Sequence, residues 1–215
     1  MAYPTVSKPY GLRPVNLIGG QVFAGSTRQL KIASAYGTDI FFGDVVKLAS
    51  SGTIQVDSGT TTATPVGVFM GCTYTDPSTK QKRFSQYWPA STVASDAMAY
   101  VADDPDVLFK VVTVSSGTTV AFYGQTLVGN NAALVQNAGS TTSGDSAVAI
   151  DGSSAATTAS LPIRIVDVVP DTANSSGDYC EFICTWNKPY ITLTEGTPNT
   201  VAWNGGHQYL NPTGV

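Results

Sequence analysis

Val66-Gly-Val-Phe-Met-Gly-Cys-Thr-Tyr74 is followed, across the polar loop 75–82, by Arg83-Phe-Ser-Gln-Tyr-Trp88. The first run opens after Pro65 and is apolar enough to be buried on both faces. Its valines, aromatics and threonine suit a pleated, packed surface. The second run pairs naturally with it as a hairpin. The same grammar repeats along the chain. Residues 28–34 alternate, with Leu30 and Ile32 on one face. Residues 45–48 and 53–56 flank the turn signal Ser50-Ser51-Gly52. Residues 98–102, 107–114 and 119–123 continue the series, separated by Gly, Pro or Asp. Weaker candidates lie at 132–136 and 147–150, Pro162 opens 163–169, and 179–186 is the last strong strand. No segment of ten or more residues carries an apolar stripe of helical period. Many short strands between turn signals predict an all-β fold, an antiparallel β-barrel or sandwich with little helix.

The flanks read differently. Pro4, Pro9 and Pro14 recur at five-residue spacing, and each disfavours helix in itself and in its predecessor. With Gly11, Gly19, Gly20 and Gly25 they make residues 1–27 an expected extended arm with little core of its own, laid along a partner or left unordered. The β core is expected over 28–193. Within it, residues 137–160 are dominated by Ser, Thr, Gly and Ala, with only Val148 and Ile150 as large apolar side chains, which predicts a surface loop or edge hairpin. Residues 194–215 form a Gly/Pro/Asn-rich tail carrying Trp203, His207 and Tyr209. Aromatic anchors dominate interface energetics, so Trp203 and Tyr209 are candidate docking residues. Folding back onto the chain's own barrel is the alternative.

Of the 215 residues, 42% are hydrophobic and only 12% charged, about half the ~25% of ordinary soluble domains. Such a surface suits a chain packed against neighbours. The net charge is −4, and the eleven basic residues are scattered apart from Lys80, Lys82 and Arg83. Phosphate backbones call for a concentrated basic stripe, so nucleic acid is not an expected partner. The basic cluster reads either as a solvated hairpin tip or as a contact for an acidic partner surface. Residues 1–20 lack the apolar stretch of a secretory signal, and no run approaches the ~20 residues that span a bilayer. Synthesis in a cytoplasm, with no membrane partner, is therefore expected.

A search for chemistry returns little. His207 is the single histidine, and no G-x-S-x-G elbow, P-loop or dinucleotide fingerprint occurs. Glutamate occurs only at Glu181 and Glu195, so paired carboxylates would come from Asp103-Asp104-Pro105-Asp106. That run could offer oxygen ligands to calcium, or form a turn closed by Asx hydrogen bonds. Cys72, Cys180, Cys184 and His207 would match a zinc site by stoichiometry. As a strand, however, 179–186 separates Cys180 from Cys184 by about 13 Å, too far for one zinc or a disulfide. The expected arrangement is one inward apolar row of Cys180, Phe182, Cys184 and Trp186. No catalytic residue, cofactor or metal is expected, and the chain reads as a non-enzyme.

Several segments resemble a family of tailed-phage head decoration, or cement, proteins. Pro9-Tyr10-Gly11-Leu12-Arg13-Pro14-Val15 resembles its proline-flanked Gly-Leu-Arg-Pro opening. Phe42-Gly43-Asp44-Val45-Val46, the run from Pro65 to Tyr74, and Ser85-Gln86-Tyr87-Trp88-Pro89 follow in the family's order. So do Asp103-Asp104-Pro105 through Val111, Leu161-Pro162 through Val169, and the region from Cys184 to Tyr190. The resemblance is discontinuous and weakest at 137–160 and after 193. It implies a β-barrel or sandwich subunit on the outer surface of an icosahedral head, commonly trimeric, that clamps adjacent major capsid proteins. Pro9, Tyr10, Gly11, Leu12, Arg13 and Pro14 would then be the contact residues of the arm. The rivals are a phage tail or receptor-binding protein, a virion-associated hydrolase using Asp103–Asp106, and a carbohydrate-binding module carried on the head.

Overall fold

The computed structural model describes residues 6–173, 179–187 and 207–210. Its strands are β1 (Arg13–Leu17), β2 (Arg28–Lys31), β3 (Val45–Leu48), β4 (Ile54–Val56), β5 (Gly67–Thr75) and β6 (Lys82–Ser85). They continue as β7 (Met98–Ala102), β8 (Val107–Val114), β9 (Asn131–Val135), β10 (Ala149–Ala156), β11 (Ile163–Val168) and β12 (Glu181–Trp186). Among the described residues the only helical pieces are 3₁₀ turns at Gln125–Leu127 and Gln208–Leu210. The fold is all-β, a barrel joined to a second sheet.

The barrel follows the order β1-β8-β10-β9-β11-β12 and closes because β12 also pairs with β8. Strand β8 is the hub. Val112 to Phe109 pair with Glu181 to Cys184 on one edge, while Lys110 to Val107 pair with Arg13 to Leu17 on the other. Farther along that second edge, Thr113 and Val114 pair in parallel with Ile150 and Asp151. Closure leaves the hub without an open edge.

The second sheet, β2-β7-β5-β3-β4 with β6 added on β5, is built from the chain between β1 and β8. Strand β5 carries β7 along one edge and, on the other, β3 at Val68 and β6 from Cys72 to Thr75. A bulge between Phe69 and Cys72 separates the two stretches, with Gly71 there at φ +127°. That conformation suits glycine alone. An isolated bridge between Ile32 and Ile54 draws the end of β2 against β4.

Alternation in β3 and β5 divides the core. Val45 and Val68 join Phe109, Phe182 and Trp186 inside the barrel, whereas Val46 and Phe69 join Ile32, Trp88 and Val101 beneath the second sheet. The expectation that 66–74 is buried on both faces follows from this double packing. The inward row of Cys180, Phe182, Cys184 and Trp186 also lies in the barrel core.

Three expectations are corrected. Residues 119–123 form no strand; Val120 makes a single bridge to Val114. Residues 137–160 are not a loop or edge hairpin throughout, because 149–156 become β10 between β8 and β9. Their small side chains are what that position accepts. A Cβ on Gly152 would sit 2.4 Å from the Tyr123 ring, and the Ser154 hydroxyl accepts the Ala133 amide at 2.8 Å. The boundary at residue 27 also fails, because β1 is a barrel strand. Pro14 is tolerated there because β8 is the only named strand that pairs with β1 among the described residues, and the register shifts between Pro14 and Asn16.

Candidate functional site

The run from Pro9 to Pro14, read as a partner-binding arm, is built into the chain's own core. Pro9, Gly11 and Leu12 are buried, and Tyr10, Arg13 and Pro14 are half-buried. The run threads between the 42–44 turn and the 146–148 segment. The Gly11 amide donates to Val148 O at 3.1 Å, and the Leu12 amide to Gly43 O at 3.0 Å. Gly11 has φ +80°, and a Cβ there would lie 2.6 Å from Gly43 O and from Ser146 Cβ. No other residue fits this crossing.

Polar side chains of the run are engaged internally as well. The Tyr10 hydroxyl donates to Glu181 Oε1, and Lys110 Nζ lies 3.2 Å from the same oxygen. Burial, reinforced by Glu181, holds the Tyr10 phenol well above its usual range. Arg13 Nη2 meets Asp145 Oδ1 at 2.7 Å, while its guanidinium carbon sits 4.2 Å from the Phe42 ring centroid. Gln86 Nε2 donates to that same Asp145 oxygen at 3.0 Å. A chain of contacts therefore locks the opening run to β8, β12 and the 137–148 segment. The separate arm is replaced by this lock, since Leu12 cannot serve a partner while filling the barrel.

Trp203 lies outside the described residues. Tyr209 belongs to a short docked segment, as the fold-back alternative expects. Gln208 imitates a strand partner: its Oε1 accepts the Leu48 amide at 2.7 Å, its Nε2 donates to Leu48 O at 3.2 Å, and its backbone N–H donates to Pro65 O at 2.6 Å. His207 is fully buried beside Trp186, and burial lowers its pKa. The Tyr209 hydroxyl donates to Asp103 Oδ2 at 3.0 Å, and Arg28 Nε meets the same atom at 2.5 Å. The acidic run 103–106 forms the β7–β8 turn, with Asp104 Oδ1 accepting the Asp106 amide at 2.9 Å.

All three cysteines are buried free thiols, and burial pushes Cys72 up to about 12 and Cys180 up to about 11. Thiols held in that range carry little thiolate at neutral pH. Among the described residues no group of three or more His, Cys, Asp or Glu side chains is placed to hold a metal ion. A cleft of about 370 Å³ is lined by Asp39, Phe41, Asp44 and Asn137 among others. The Asp44 carboxylate is spent on the Phe41 amide at 2.7 Å, and burial raises its pKa to about 6.

What stands out instead is apolar surface. Phe84 on β6 is 77% exposed, Val93 64%, Val22 75% and Ile18 53%, and Phe122 and Leu210 are also exposed. β6 pairs only with β5, so its outer edge is free for another strand among the described residues. These positions escape sequence reading because a phenylalanine in an alternating run reads as core. The basic residues Lys80, Lys82 and Arg83 around it were the available signal. Compared with known proteins, the chain matches no family model, no curated protein and no solved structure.

Proposed function

We propose that this chain is a virion structural protein, a decoration subunit on the outer surface of an icosahedral phage head that reinforces contacts between major capsid proteins. It acts as a homo-oligomer and without enzymatic chemistry. The observation that carries the reading is the set of large apolar side chains standing on an edge strand and on turns, on a chain poor in charge. Scattered apolar residues are ordinary, but Phe84 on an unpaired edge is a ready anchor for another chain. The order of motifs resembling the cement family supports the same reading. In it, the coat-facing surface is sought among Ile18, Val22, Phe84, Val93 and Phe122, and the buried 9–14 run supports the subunit from within.

Mixing the purified chain with empty phage heads and imaging them by cryo-electron microscopy tests this. Density at symmetry-related positions over the shell is expected. Density confined to the tail would move the assignment to a tail protein, and absence of binding would overturn it.

A further inference from the structure

Residues His207 to Leu210 tie the barrel to the second sheet. The imidazole is fully buried, its centroid 6.4 Å from that of Trp186 on β12 and 5.2 Å from that of Tyr209. β3 pairs with β5 at Val45 and Val46, and Gln208 takes over that edge two residues farther on. There its side chain grips both the N–H and the C=O of Leu48, while its backbone N–H donates to Pro65 O. The Tyr209 hydroxyl completes the attachment at Asp103 on the β7–β8 turn.

The setting of His207 keeps its ring neutral. Nδ1 accepts the Tyr209 amide at 3.3 Å, so the neutral ring carries its proton on Nε2, which has no hydrogen-bond partner among the described residues. A second proton would go on Nδ1 and set one N–H against another. The groups able to neutralise that charge are already engaged. Asp103 Oδ2 takes both Tyr209 and Arg28, and Asp104 Oδ1 takes the Asp106 amide. Beside Leu48, Lys47 and Asp57 pair with each other at 3.4 Å. The Tyr209 phenol, pushed up to about 12, stays neutral, and β12 offers only the Trp186 ring, whose Nε1 is a further buried donor. Asp103, Asp104 and the backbones of Val66 and Asp103 favour the charged imidazole, but burial outweighs them and holds its pKa below the usual 6.5.

We propose that residues 207–210 form an acid-released clasp, in which charging His207 undocks the segment from Leu48, Pro65 and Asp103. A group whose pKa is lower in the docked state than in the free chain binds its proton better once released. Docking is therefore at full strength above about pH 6.5 and weakens as pH falls below it. One proton sets the limit: from about pH 7.5 to about pH 5.5 the docking constant falls by at most about tenfold. Release bares the Leu48 edge of β3 and the Trp186 ring but breaks no strand pairing. Asp44 acts in the opposite sense, since burial raises its pKa to about 6 and so makes the fold as a whole firmer in acid. Loosening of the clasp in acid is thus separable from global unfolding.

His207 is the only histidine in the sequence, so its imidazole signals are unambiguous in NMR spectra of the full chain. Their titration midpoint is expected below 6.5. Over the same range, hydrogen exchange at the Leu48 amide, corrected for its intrinsic pH dependence, should speed up by between about two- and tenfold while amides of β8 do not follow. His207→Asn keeps an acceptor near the Nδ1 position without a titrating group, and should abolish the pH dependence at Leu48. Gln208→Ala removes the grip on Leu48 and should leave that amide fast at both ends of the range. A midpoint at or above 6.5 would overturn the proposal. So would a change at Leu48 of less than about twofold in the unmodified chain, or protection there that survives Gln208→Ala. A pH dependence retained in His207→Asn would overturn it as well; where that variant fails to dock, the midpoint and the Leu48 exchange of the unmodified chain decide.

Discussion

Strand β8 in the barrel and strand β5 in the second sheet each carry two short strands in succession along one edge. On β8 these are β1 and β10, with β12 along the other edge; on β5 they are β3 and β6, with β7 opposite. The hub of the barrel runs in unbroken register against β12 from Val112 to Phe109. The hub of the second sheet needs a bulge and a left-handed glycine to pass from β3 to β6. The barrel's ring then closes, whereas the second sheet ends in β6 with its outer edge open. The closed half still exposes Ile18 and Phe122 on its connections, whereas the open half exposes Phe84 on the free edge strand itself.

Breaking the closed half should cost most. Leu12→Ala removes a fully buried side chain of the barrel core, with an expected loss of about 2–5 kcal/mol in urea unfolding. A loss under ~0.5 kcal/mol, the range of exposed sites, would restore the free arm.

The seam between the halves titrates. Asp44 has its pKa raised by burial from 3.8 to about 6, so the folded state holds that proton more tightly than the unfolded chain. The stabilisation is complete below pH ~4 and is lost as pH rises through about 6, a swing of about 3 kcal/mol at 1.36 kcal/mol per pH unit. Asp44→Asn, which keeps an oxygen for the Phe41 amide, should flatten thermal stability between those pH values and raise it at pH 7. An unchanged profile would assign the dependence elsewhere.

The open half gives smaller effects. Gly71→Ala forces a side chain into φ +127° with its Cβ 3.1 Å from Ser85 O, and should cost about 1–3 kcal/mol by denaturant midpoint. Least of all, Phe84→Ser should shift stability by under ~0.5 kcal/mol while weakening association with heads or with other copies. A large loss of stability there would mean that Phe84 packs inside the subunit.

The strands of 45–48, 98–102 and 107–114 were legible because their apolar side chains alternate or run continuously, and the structure begins and ends them at the same residues. Two strands were not. β1 carries Pro14 and β10 carries serines and glycine, and both are strands because neighbours pair with them: Phe109 opposite Pro14, and Leu134 opposite Ile150. Tertiary pairing there overrides local preference. The Cys180–Trp186 row was readable from period alone. The outward position of Phe84 was not, since its exposure depends on which strand ends the sheet.

Phe109 pairs with Pro14 on one side and Cys184 on the other, so the wall of the barrel joins the earliest strand among the described residues to the last. During synthesis the ribosome must release residues beyond Trp186 before that wall can be completed. Until then β8 holds an unpaired edge. Closure of such distant segments is slow compared with local hairpins. The second sheet, spanning 28–102, is made first and can form while the barrel waits. Interrupted translation products would therefore carry a paired second sheet beside a barrel that lacks its closing strand.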